Sequence, residues 1–447
     1  MQTLTKIHSI EYLDISESPI EAFSIDLPVE KTDDQVMFFE LAGWIVSKGT
    51  PLLGLQIMQD KFVLKRIGLD VDRPDVGRLF PENQYAAKSG FRTYVSTVGL
   101  PRQFDITIRA VLPGETDEES ARIRVPLAVI KGEHASIVSS YSPKRQPLII
   151  TALGRSGTTW LMHLLSQHHA ITSVSHYPYE VRAGVYWMHM LNTLTSPGNH
   201  AQSTTPDGFE ADLFHIGHCP YFHPYYMDQV APDTRTRDFF GKDYINQLAT
   251  FCQESIDHYY DTFDHQVHNS ESIYFMEKVM GGQTPYLYRN IYQAPKEIIL
   301  IRDCRDMYCS SKAFNEKRAS AGFGREWVNN DEEWIEFLYE SYSRILAGWR
   351  SRKNEVYLVR YEDLILNPHD ALKNLLEYLN ISDDASVIES VIKTASKDTP
   401  EMKQHRTSYN PKDSIGRWRK HMDTDTRNMF ESVFGELLEE IGYNLHD

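Results

Sequence analysis

The chain is 447 residues long, with 41% hydrophobic residues and a formal net charge of −16. That length exceeds what one hydrophobic core usually organises, so two or three domains are expected, and the hydrophobic fraction is that of an ordinary globular protein. The acidic balance excludes a general nucleic-acid binder, whose affinity comes from clustered Lys and Arg; an anionic ligand must find a local group of cations.

Residues 1–30 have neither the basic start nor the apolar core of a secretory signal, and no apolar run is long enough to span a bilayer, which points to a cytosolic protein. The cysteines, Cys219, Cys252, Cys304 and Cys309, include no Cys-x-x-Cys pair and read as reduced thiols. From residue 36 to residue 130, short apolar alternations at 38–47, 52–57, 62–67, 91–98, 104–111 and 121–129 are broken by turn residues. They predict a small antiparallel β-sandwich over residues 1–135, with nothing catalytic in it. Residues 136–146, carrying Ser139-Ser140-Tyr141-Ser142-Pro143, read as a linker.

Next, Pro147-Leu148-Ile149-Ile150-Thr151-Ala152-Leu153 breaks into Gly154-Arg155-Ser156-Gly157-Thr158-Thr159-Trp160, with Leu161, Leu164 and Leu165 following at helical spacing. This is a strand, a turn and a helix. The two glycines let successive N–H groups point inward, and the helix start adds the positive end of its dipole, so the turn suits an anion. Arg155, Ser156, Thr158 and Thr159 add side-chain donors. The common nucleoside-triphosphatase loop needs a Lys just before its final Ser or Thr, whereas here Thr158 follows Gly157 directly.

Residues 177–264, aromatic and His-rich, are expected to form helices and loops capping a sheet. Within them His215, His218 and His223 fit no zinc spacing, and no metal is expected; with Tyr221, Phe222, Tyr225 and Tyr226 they read as an acceptor-side wall. A strand at 297–301 then ends in Arg302-Asp303-Cys304-Arg305-Asp306-Met307-Tyr308-Cys309-Ser310, which can collect Arg302, Arg305 and Ser310 beside the first turn. Arginine's planar fork suits phosphate. A helix at 332–350 and a strand at 356–361 complete an α/β pattern, a parallel sheet with helices on both faces over residues 147–447.

The first turn and the Arg302-to-Ser310 block together resemble the sulfotransferase family, which uses 3'-phosphoadenosine 5'-phosphosulfate, and in motif style its bacterial and Golgi-type members. The resemblance covers residues 147–447. It implies that Arg155, Ser156, Gly157, Thr158, Thr159 and Trp160 hold the 5'-phosphosulfate and that Arg302 and Ser310 hold the 3'-phosphate. Phe275-Met276-Glu277-Lys278 resembles a segment preceding the 3'-phosphate strand, and Tyr361-Glu362-Asp363-Leu364 one that follows a central strand. Ser414-Ile415-Gly416-Arg417-Trp418-Arg419 resembles the segment closing over the cofactor, which implies contacts from Arg417, Trp418 and Arg419.

The Lys-bearing first loop and the Lys-x-His-Leu-Pro segment of the cytosolic branch are both missing. Glu180-Val181-Arg182 instead matches the Glu-x-Arg that supplies the base in the protein-tyrosine branch. Glu180 is therefore the expected base, best suited if burial raises its pKa, with His176 and His223 as competitors. Arg155 and Lys278 would neutralise charge on the transferring group, and Arg182, His176, His223 and Tyr221 would meet the acceptor. The expected reaction is sulfuryl transfer to a hydroxyl without a metal, leaving 3'-phosphoadenosine 5'-phosphate. A carbohydrate or glycoconjugate is the first choice of acceptor, with a protein tyrosine, lipid or polyketide hydroxyl as alternatives. The rival class, a kinase-like P-loop protein, would need the loop Lys and an acidic magnesium-binding strand end.

Overall fold

A computed structural model describes residues 3–114, 122–174, 176–196, 234–267, 272–397, 402 and 406–445. Met1–Ser142, Tyr186–Ser255 and Tyr286–Ile291 form one unit; Pro143–Val185, Ile256–Pro285 and Tyr292–Asp447 form the other. In the first unit the alternating segments become β1 (Thr5–Tyr12), β2 (Ile20–Leu27), β3 (Asp33–Asp34), β4 (Phe38–Ser47), β5 (Gly54–Gln59), β6 (Phe62–Ile67), β7 (Gly90–Ser96), β8 (Gln103–Leu112) and β9 (Ile123–His134). They pair antiparallel in two sheets, β3-β1-β9-β8-β5-β6 and β2-β4-β7. Phe39, Leu41 and Phe91 from the smaller sheet share one apolar core with Leu55, Phe104 and Ile130 from the larger. β1 and β2 lie outside the region of sequence alternation because each buries only two residues.

The second unit is built on β10 (Gln146–Thr151), β11 (Ile171–Thr172), β12 (Tyr274–Val279), β13 (Lys296–Ile301) and β14 (Tyr357–Arg360). All pair parallel in the order β11-β12-β10-β13-β14, so the α/β architecture is present with β10 at its centre. Alternate residues go to opposite faces. Leu148, Ile150, Ile298 and Leu300 join a core closed by helices Thr158–Leu165, Pro368–Leu379 and Ala385–Ala395. Ile299 and Ile301 join another, closed by helices Cys304–Arg318, Asp331–Ser351 and Thr424–Glu440. Strands covered on both faces read as continuous apolar runs, which is why β10 and β13 stand out in the sequence. Among the described residues no helix is long and apolar enough to cross a membrane.

β12 breaks the apolar rule with Glu277 and Lys278, which as neighbours on a strand face opposite ways. Glu277 is buried and accepts from the backbone N–H groups of Gly184 (2.6 Å) and Val185 (2.8 Å) and from the Tyr260 hydroxyl (2.6 Å). It thereby satisfies open donors in the first turn of helix Ala183–Thr195, where a negative charge is also favoured by the helix dipole. Glu277→Ala strands these donors and is expected to cost about 2–4 kcal/mol, with Glu277→Gln losing less, read as shifts in the urea midpoint. Equal stability of wild type and Glu277→Ala would refute this anchoring role.

Candidate active site

After β10 the chain reverses into helix Thr158–Leu165 through two left-handed residues, Arg155 (φ 67°) and Gly157 (φ 97°). A side chain at Gly157 is barred twice, by that φ and because its Cβ would stand 2.3 Å from Tyr361 Cδ2. Ser156 turns inward: its Oγ donates to Leu153 O (2.7 Å) and lies 3.3 Å from Thr158 Oγ1. It shapes the loop from behind.

β13 delivers the second turn beside the first. Arg302 is buried; its Nη1 donates to Arg155 O (3.0 Å), its Nη2 to Ser414 O (2.6 Å), and its guanidinium lies 4.5 Å from the Tyr361 ring centroid. Arg155 Nε donates to Ser310 Oγ (3.1 Å), and burial, reinforced by nearby Arg302, pushes the Arg155 guanidinium down to about 10. Tyr361 and Glu362 serve both turns, Tyr361 against Gly157 and Glu362 by accepting from Asp303 N (3.1 Å).

A cavity of about 140 Å³ opens between the turns, lined by Arg155, Gly157, Thr158, Thr159, Trp160, Arg302 and Ser310. Tyr177, Tyr361, Arg406 and Thr407 also line it. Among the described residues the lining holds three arginines and no carboxylate, and Arg302 Nε is buried without a hydrogen-bond partner. In an acidic chain this is the local cation cluster that an anionic ligand requires.

A second cavity, of about 330 Å³, shares Thr158 with the first and is lined at one end by Glu180, Arg182 and Lys278. Lys278 Nζ donates to Glu180 Oε1 (2.6 Å) and Pro178 O (2.9 Å), and Arg182 Nη2 donates to Glu180 Oε2 (2.8 Å). Burial pushes the Glu180 carboxyl up, but hydrogen bonds from Lys278 and Arg182 outweigh it and hold the group below its ordinary value. Its side chain is 53% exposed. Lys278 is itself pushed down, because burial exceeds the help it receives from Glu180. Glu180 is thus an ionised carboxylate held by two cations, unlike the raised base that the sequence favours.

Residues 145–442 match the family described as sulfotransferase domain. The chain belongs to the sulfotransferase family. Carbohydrate sulfotransferase 1 of Mus musculus is 27% identical over 161 residues, which are 34% of this chain and 39% of that protein, and its Homo sapiens namesake matches to the same extent. The matched region therefore spans well under half the length of these curated relatives. Among solved structures, the sulfotransferase domain from the curacin biosynthetic pathway is similar over 68% of this chain and 99% of that one, at 15% identity and a TM-score of 0.38.

Other expected site residues lie elsewhere. Trp418 is 4% exposed, outside the lining of both cavities, and packs against Arg305, whose guanidinium is 3.9 Å from its ring centroid. Arg419 is exposed, and Arg417 lies behind the first cavity's lining, donating from Nη1 to Thr407 Oγ1 (3.0 Å). His176 is exposed and lines neither cavity. Tyr221 and His223, with His215, His218, Phe222, Tyr225 and Tyr226, lie outside the described residues. Sequence reasoning missed Arg406 and Thr407, which carry no motif of their own, and the aromatic wall of the second cavity, formed by Phe323, Trp327, Trp334 and Phe337. Trp334 and Phe337 belong to an amphipathic helix, where spacing cannot separate a cavity wall from a core stripe.

The late segment is pinned by Asp306, whose carboxylate accepts from Gly416 N (2.7 Å) and Trp418 N (3.0 Å). Burial, reinforced by the neighbouring Asp303, nevertheless pushes Asp306 up to about 6. The folded protein therefore holds this proton more tightly than the unfolded chain. The resulting stabilisation is complete below the ordinary carboxylate range and is lost as pH rises through about 6. Asp306→Asn cannot ionise, so its stability deficit relative to wild type should be larger at roughly pH 5 than at roughly pH 8 by thermal midpoint; a deficit that grows with pH would contradict this.

Proposed function

We propose that the protein transfers a sulfuryl group from 3'-phosphoadenosine 5'-phosphosulfate to an acceptor hydroxyl. The observation that carries this reading is Thr158, which lines both an arginine-walled cavity and a second cavity ending in Glu180 and Lys278. The donor, when bound, supplies the activated sulfuryl group on its 5'-phosphate. Backbone N–H groups at Gly157, Thr158 and Thr159, at the positive end of the helix, would hold its 5' end, with Arg155 beside them. Arg302, Ser310 and Arg406 would hold the 3'-phosphate; the buried Arg302 Nε has no hydrogen-bond partner among the described residues. Lys278 would set a positive charge on the acceptor side of Thr158, and Glu180 would take the hydroxyl proton and pass it to solvent. No metal enters this scheme. The first unit, with two sheets on one core, is read as an accessory β-sandwich. The name of the curated relatives supports a carbohydrate acceptor; the lining of the second cavity favours another class, taken up below.

Saturating 3'-phosphoadenosine 5'-phosphate should stabilise the protein by about 2.7 kcal/mol at a hundredfold excess over Kd, with no such gain from ATP and magnesium. Arg302→Ala should lose this gain; Ser310→Ala, which leaves the Arg302 contacts with Arg155 O and Ser414 O in place, should reduce it. Glu180→Gln should keep it while turnover falls by about 10²–10⁴-fold. Equal stabilisation by ATP would overturn the donor assignment, and full turnover in Glu180→Gln would overturn the base.

A further inference from the structure

We propose that the second cavity accepts an apolar alcohol, a hydroxyl carried on one aromatic or alicyclic body, in preference to a sugar. This rests on the sulfuryl-transfer reading and names its acceptor class. The wall is carbon-rich: Phe323, Trp327, Trp334 and Phe337 stand with Met307 and Leu338. Gly324 is required there, because at its φ of +92° a Cβ would meet the Phe337 ring at 2.2 Å; the loop is laid directly on that ring. The Trp327 and Phe337 rings are 5.7 Å apart and tilted by 60°, one continuous aromatic surface.

Three polar groups on this wall are already engaged. Trp334 Nε1 donates to Phe323 O (2.8 Å), the Glu326 carboxylate accepts from Gly324 N (3.0 Å), and Ser311 Oγ donates to Met307 O (2.9 Å). A sugar entering here would bury several hydroxyls against a mostly carbon surface with few hydrogen-bonding groups left to meet them, a cost an apolar body does not carry. Glu180, Lys278 and Arg182 are hydrogen-bonded into one charged group on the lining, which suits one hydroxyl and fixes its direction. Size agrees: about 330 Å³ is at the lower limit of ligand cavities, which run from about 300 to 1,000 Å³, and fits a compact ring system rather than an extended oligosaccharide. Trp327 is 72% and Met280 66% exposed, leaving apolar surface in water at the rim of the same cavity.

In the transfer, a lone pair on the alcohol oxygen forms the new O–S bond. The bond from sulfur to the donor's phosphate oxygen breaks with its electron pair on that oxygen, and the alcohol proton goes to the Glu180 carboxylate.

The test uses the full chain. 3'-Phosphoadenosine 5'-phosphate is titrated first; failure to bind overturns the transfer reading and this inference with it. With that product bound, naphthol and menthol are compared by calorimetry with N-acetylglucosamine and lactose, and all four are then offered with labelled donor. The alcohols should bind and be sulfated, the sugars at least about tenfold more weakly. Trp327→Ala, at an exposed position, should weaken alcohol binding about tenfold with product affinity unchanged. Sugars that bind more tightly than either alcohol, or alcohol binding unchanged in Trp327→Ala, would overturn the acceptor class and leave the donor reading standing.

Discussion

Tyr361 lies so close against Gly157 that no side chain fits between them, and the second unit is arranged around that contact. The ring is delivered from the carboxyl end of β14, past β13, to the loop leaving β10. Arg302, at the end of β13, lies against the same ring while its Nη groups hold Arg155 O and Ser414 O. The carboxyl ends of three neighbouring parallel strands are thus locked together by one aromatic side chain and one guanidinium, at the edge where open α/β sheets bind ligands. Packing and recognition share these atoms. A left-handed Gly157 permits the ring, the ring seats Arg302, and Arg302 fixes the loop that places Thr158 between two cavities.

Charge is distributed to match. The first cavity gathers arginines with no carboxylate among its described lining, and the crowding shows in Arg155, which burial and Arg302 make easier to deprotonate. In the second cavity the cations Lys278 and Arg182 are matched by the carboxylates of Glu180, which binds both, and Glu326, so its lining carries no formal net charge. An anion is favoured on one side of Thr158 and a neutral molecule on the other. This division is what the proposed transfer requires, in which only the donor is highly charged.

The turns after β10 and β13 were legible because each follows an apolar run and carries chemistry within a few residues. Arg155 and Thr158 line one cavity with Arg302 and Ser310, more than a hundred positions further on in sequence. Trp418 illustrates the limit of motif reading: its Trp-Arg pattern points to a ligand, yet its ring lies on Arg305, where packing and cation–π attraction hold it in the core. The wall from Phe323 to Phe337 was illegible for the opposite reason, since aromatic residues on an amphipathic helix look like core until the facing surface is known. Glu180 was visible as a residue, but its state was not. Whether burial or ion pairing sets a carboxyl's pKa depends on distances such as the 2.6 Å to Lys278. β1 and β2 escaped because two buried residues per strand make too faint a period.

A crystal structure with 3'-phosphoadenosine 5'-phosphate bound tests the central claim, that two strand-end turns form one two-phosphate site, most directly. The account predicts the 5'-phosphate on the backbone N–H groups of Gly157, Thr158 and Thr159 and the 3'-phosphate within hydrogen-bond reach of Arg302 and Ser310. A 3'-phosphate in solvent, or a nucleotide bound away from both turns, would contradict it.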